Sequence, residues 1–246
     1  MKIKELLHTE EFKATQYPGV KYDAFEALYD YNVIGLFDEM VTELGRIPSS
    51  QEFVSAGLKR AKEFFESKPT QYIYKWKSNH TFELDDHLKN AVMNRLSRTY
   101  NSYLVEEQVK EFIKDEYDVN ISANQRLDLN FGCDVCVMDE DRLYYIHIAK
   151  DSYYSRNHIK EKGRRKSYIF ANGMKHYWTR NWGEAHHTLL YNESNTETVN
   201  GNVVFTDKYL KNYFDRLFEE GCYDELEDSE LMVFWKWMKK RRITIK

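Results

Sequence analysis

Apolar positions in the first hundred residues recur at helical spacing. Between Val20 and Leu44 they fall at Phe25, Leu28, Tyr29, Leu36, Phe37, Met40, Val41 and Leu44, close to a period of 3.6, which predicts a helix. Gly45-Arg-Ile-Pro48 ends it, and Ser49 with Glu52 has the spacing of a reciprocal cap that opens a second helix. The second helix carries Phe53, Gly57, Ala61, Phe64 and Phe65 on one side, with Lys59, Arg60 and Lys62 elsewhere, and Lys68-Pro69 stops it. A third helical stretch runs from about Leu84 to Glu116 through Leu88, Val92, Leu96, Tyr100, Leu104, Phe112 and Ile113, as one helix or as two meeting near Arg98.

The period changes after Tyr117. Val119-Asn-Ile-Ser122 and Arg126-Leu-Asp-Leu-Asn-Phe131 alternate with period two, as half-buried strands do. Cys133–Met138 and Arg142–Lys150, separated by the turn Asp139-Glu-Asp141, read as an antiparallel hairpin. A basic, helix-compatible segment follows from Ser155 to Lys166. Further strands are predicted at Tyr168–Phe170, Thr188–Tyr191 and Val203–Phe205, with a polar loop from Asn192 to Gly201. Helices over Asp207–Glu220 and Glu230–Arg242 complete the pattern. The fold class is therefore α+β, with a helical region over residues 1–98 and a mixed sheet flanked by helices over residues 99–246.

Composition narrows the class. The chain of 246 residues is 42% hydrophobic and 31% charged, with only 3 prolines and 10 glycines, which excludes collagen-like and largely disordered proteins. A net charge of -4 confines any nucleic-acid surface to a local patch. Three cysteines fit a reducing compartment, and the absence of a long apolar run or a signal-peptide core predicts a cytoplasmic protein with no membrane partner. Cys133-x-x-Cys136 has metal-ligand spacing, but on a strand these side chains diverge and no second pair exists. His186 and His187 are adjacent and also diverge. No phosphate-cradling glycine loop, G-x-S-x-G or H-E-x-x-H occurs, which argues against a nucleoside triphosphatase, an α/β-hydrolase and a zincin.

The order helix, strand, strand with an early Asp, strand ending in Lys, then helix carries the most information. Gly132-Cys-Asp134-Val-Cys-Val and Tyr145-Ile-His-Ile-Ala-Lys150 give the region Tyr103–Lys166 a pattern that resembles the PD-(D/E)XK nuclease superfamily, the restriction-endonuclease-like fold. The resemblance implies a Mg²⁺- or Mn²⁺-dependent DNA endonuclease, sometimes dimeric, or a DNA-binding descendant with an altered site. Asp134 is then a metal-binding carboxylate, Lys150 the cation that positions water, and Glu107 (or Glu106) an accessory carboxylate. The chain departs from the pattern where Ile148 stands at the acidic position two residues before the Lys. Strand alternation places Ile148 with Lys150 and His147 on the other face, so His147 replaces the carboxylate only if a bulge turns it inward. Asp128 and Asp151 are the other candidate suppliers.

Phosphate neutralisation would fall to Arg156, Lys160, Lys162, Arg164, Arg165 and Lys166, a basic run just after the candidate catalytic strand, with Tyr153, Tyr154 and Tyr168 interleaved. Residues 36–66 form a helix-turn-helix-type element similar to small modules of phage and mobile-element DNA-binding proteins. Arg46, Lys59 and Arg60 would be its phosphate contacts. Ile148, the acidic net charge and the aromatic share of 15% motivate a different class, a non-catalytic phage or mobile-element protein that binds and inhibits or recruits a host protein. Near the C-terminus, acid before the last helix and Lys239-Lys-Arg-Arg242 at its end complement the helix dipole.

Overall fold

The computed structural model describes residues 2–15, 33, 35–67, 86–123, 133–162, 167–171, 174–178 and 185–225. The predicted strand at 126–131, with Asp128, the helix at 230–242 and the basic residues Arg164, Arg165 and Lys166 lie outside them. Two compact units result, one of residues 1–104 with 198–203, the other of 105–197 with 204–246.

In the first unit, helix α1 (Ile3–Leu7) leads through a 3-10 turn to helices α2 (Leu36–Leu44) and α3 (Ser50–Ser67) and the first part of α4 (Asp86–Glu116), which is a single helix through Arg98. The described part of α2 begins only after Gly35, whose φ of 82° is left-handed, so the periodicity read back to Val20 does not run as one helix through this point. Gly45 closes α2 with φ 67° and a hydrogen bond from its N–H to the Val41 carbonyl. The cap of α3 is reciprocal: Glu52 N–H donates to Ser49 Oγ at 3.3 Å and Ser49 N–H to Glu52 Oε2 at 2.7 Å. Phe37, Phe53, Tyr100 and Tyr103 interlock between these helices, and the buried Tyr100 hydroxyl donates to the Pro48 carbonyl. Gly57 lets α3 approach α4 so closely that an added Cβ would overlap the buried Leu96 side chain.

The second unit is built on a mixed sheet in the order β1 (Asn120–Ser122), β2 (Val135–Asp139), β3 (Arg142–Lys150), β6 (His186–Tyr191). The first three strands are antiparallel neighbours and β6 runs parallel to β3, with the short β9 (Asp224–Glu225) paired to the start of β3. Between β3 and β6 come α5 (Tyr153–Lys162) and a separate hairpin of β4 (Ser167–Ala171) and β5 (Met174–Trp178). Glu140, with φ 53°, turns the chain between β2 and β3. Helix α6 (Asp207–Glu220) starts at the Thr206 cap and buries Leu210, Phe214 and Leu217. Its rings meet Phe112 in α4's last turns and Tyr117 just after them, and Phe218 meets Tyr144 of β3.

The span 192–201 is not simply a loop. It contains strand β7 (Thr196–Val199), joined to β8 (Asn202–Phe205) by a two-residue turn in which Asn200 and Gly201 have φ of 51° and 85°. Asn-Gly with both φ values positive matches the twist of a tight hairpin. Two amides of α4 bond the β8 backbone: Asn101 to both N–H and C=O of Val203, and Gln108 to both groups of Phe205, the latter at 2.8 Å each.

Candidate active site

Asp134 lies one residue before β2, where the ladder slips. Val135 is in register with Ile146, yet the Asp134 N–H also donates to the Ile146 carbonyl at 2.9 Å, so two consecutive residues face one. The next β3 amide on that side, Ile148 N–H, has passed the end of the paired segment. The Asp134 carboxylate takes it instead, with Oδ2 2.6 Å from the Ile148 nitrogen, a charge-assisted bond in place of a strand carbonyl. The strand start thus delivers its carboxylate to the β3 position two residues ahead of Lys150. Lys150 is exposed at the end of β3, opposite Tyr191 of β6.

His147 does not share the face of Lys150. The β3–β6 register runs uninterrupted from Tyr145–His186 to Lys150–Tyr191, so β3 has no bulge there and His147 keeps the face opposite Lys150. It is 2% exposed, and its Nε2 lies 3.0 Å from Nδ1 of His186, with the two rings stacked. His186 also stacks on Tyr145. One ring must give an N–H and the other a lone pair, so the two imidazoles cannot both be in the charged form and keep this bond. Burial, reinforced by the proximity of His147 and His187, pushes the His186 pKa down to about 3. His187 faces the other way, toward the Cys222 carbonyl at 2.7 Å.

The remaining carboxylates are otherwise engaged. Glu107 on α4 forms an ion pair with Lys110 one turn on. Asp151, next to Lys150, binds Arg156 through Oδ1 and Asn192 through Oδ2 at 3.2 Å, while its N–H donates to the Tyr191 carbonyl. The Arg156 and Asn192 hydrogen bonds hold its pKa below the usual carboxylate value. Among the described residues no group of three or more His, Cys, Asp and Glu side chains is placed to hold a metal ion. Mg²⁺ is commonly held by one or two carboxylates together with waters and substrate phosphates.

The predicted phosphate contacts divide. Arg46 pairs with Glu52, at 2.7 Å, and with Glu11, at 3.2 Å. The same Glu52 caps α3, and the Arg46 hydrogen bond is the largest cause lowering its pKa to about 2. Arg60 is paired with Glu39, and Arg156 with Asp151. Lys160 and Lys162 lie on α5. Lys59 is exposed on α3. Tyr153, one of the rings interleaved with the basic run, is 85% exposed at the start of α5. Its position after a strand-ending Lys-Asp-Ser, where a helix begins at the surface, was the available signal.

No family model, no curated protein and no solved structure matches this chain. Among the described residues no helix is long and apolar enough to cross a membrane.

Proposed function

We propose that the second unit is a metal-dependent DNA endonuclease, or a DNA-binding descendant of one, with a restriction-endonuclease-like fold. Support comes from the order α4, β1, β2, β3, α5 and from the mixed sheet. The observation that carries the reading is the Asp134 carboxylate docked on the backbone of Ile148, the position at which the PD-(D/E)XK pattern expects its acid. Asp134 would hold Mg²⁺ or Mn²⁺, which on binding would neutralise phosphate charge and acidify water. Lys150 would hold the attacking water and stabilise its hydroxide form from the exposed strand end. Asp151, through Arg156 and Asn192, ties the start of α5 to the end of β6 and so fixes the backbone that presents Lys150.

Nicking of supercoiled plasmid in Mg²⁺ or Mn²⁺, stopped by EDTA, tests this. Asp134→Asn keeps an acceptor for the Ile148 amide while removing the charge, and Lys150→Ala removes the cation. Each is expected to lower the nicking rate at least about 100-fold, in line with losses seen when a charge-stabilising catalytic group is removed. Nicking that survives both substitutions overturns the assignment.

A second reading has its own support. Arg46, Arg60 and Arg156 are each neutralised by a carboxylate of the chain, which favours a non-catalytic phage or mobile-element protein that engages a host protein. Absence of both nicking and DNA binding would select it.

A further inference from the structure

We infer that Tyr153 is a stacking platform for an unpaired base, which makes the substrate a single-stranded or locally unpaired nucleic acid rather than an intact duplex. This rests on the hydrolase reading only for its choice of nucleic acid as the ligand. Tyr153 is the first residue of α5 and 85% exposed. The two other large hydrophobic side chains exposed among the described residues, Leu44 and Tyr223, stand at 43% and 41%, and Tyr223 is covered in part by the Arg142 guanidinium, 4.9 Å from its ring centre. An aromatic side chain left this bare forgoes the burial that ordinarily stabilises it and leaves its ring open to contact from outside.

A cation stands close to it along the chain. Lys150 lies three residues earlier and is exposed, so their Cα atoms are at most about 11 Å apart. The turn between them is fixed: the Ser155 N–H donates to Ser152 Oγ at 3.1 Å, the Arg156 N–H to the Ser152 carbonyl at 3.0 Å, and the Asp151 N–H to Tyr191 at 2.9 Å. A cation and a bare ring held by one braced turn match the two parts of one nucleotide, phosphate and base. Stacking on a ring needs a base withdrawn from its pair, since the faces of paired bases are covered by their neighbours. A duplex offers this site phosphates only.

Fluorescence anisotropy in EDTA with a labelled oligothymidylate and with a labelled duplex of equal length tests the inference without cleavage. Tyr153→Ala is expected to weaken single-strand binding roughly 5- to 150-fold, the range that base–aromatic stacking produces. Tyr153→Phe should restore it, and duplex binding should be unchanged in both. Equal single-strand affinity for Tyr153→Ala and the unaltered protein overturns the inference. So does an equal loss on both ligands, or no binding of single strand at all. Plasmid nicking is scored in parallel. Nicking abolished by Asp134→Asn but single-strand binding indifferent to Tyr153 removes the stacking and keeps the hydrolase. Tyr153-dependent binding without nicking keeps the stacking and removes the hydrolase.

Discussion

The half-buried imidazoles of His186 and His187, whose pKa values desolvation lowers, tie stability to pH through two side chains. In the unfolded chain a histidine takes its proton near pH 6.5. In the folded chain burial defers protonation of His186 to about pH 3, with Tyr145, His147 and His187 as the groups around it. Below pH 6.5 the unfolded form therefore binds more protons, so stability is full above that value and declines as pH falls toward 3. The slope is at most about 1.4 kcal/mol per pH unit for one proton. Urea midpoints measured from pH 7.5 to 5 should fall, and His186→Gln should flatten the fall. That interval avoids the carboxylates, because Glu52, with its pKa at about 2, stays ionised when folded and is still largely ionised when unfolded. An unchanged slope in His186→Gln would place the titration elsewhere. The sequence shows the Ser49–Glu52 cap because its partners are three residues apart. It cannot show that His147 meets His186, 39 positions away, or that Asp134 reaches Ile148, because both depend on strand register.

At the scale of elements, α3 and α4 are held by a contact that only a missing side chain allows. Gly57→Ala gains about 1 kcal/mol of helix propensity, but its Cβ would meet Leu96, which is fully buried and confined. Overpacking of about 1–3 kcal/mol outweighs the gain. Chemical denaturation should show net destabilisation, and combining it with Leu96→Ala should cost less than the sum of the two. Additive losses would mean that the helices do not press together at this point. The long helices and the β2–β3 hairpin were legible because their periodicity extends over many residues. Strand β7 was not, because Thr-Glu-Thr-Val carries one buried position, Val199, and reads as polar loop. The Asn-Gly turn after it held the missing information. Gly35 shows the converse error, where period alone ran through a left-handed residue.

For the whole molecule, a net charge of -4 means that any nucleic-acid surface depends on which cations are already paired and which are exposed. Each phosphate neutralised contributes about -0.9 to the slope of log affinity against log salt for duplex DNA. Arg46→Ala and Arg60→Ala should leave that slope unchanged, since their guanidiniums already serve Glu52, Glu11 and Glu39. Lys150→Ala should flatten it by about one unit. Salt titrations giving the reverse order would move the contact surface to the first unit. Local pattern thus conveyed the α+β class, while the parallel pairing of β6 with β3 and the pairing of charges awaited three dimensions. One consequence concerns solubility. Among the described residues strand β8 has a strand neighbour only in β7, and Asn101 and Gln108 occupy backbone groups of Val203 and Phe205 that could otherwise zip onto a stranger. Two carboxamides thus act as guards against fibre-like self-association, and heating that peels the hairpin from α4 would expose the border where clumping begins.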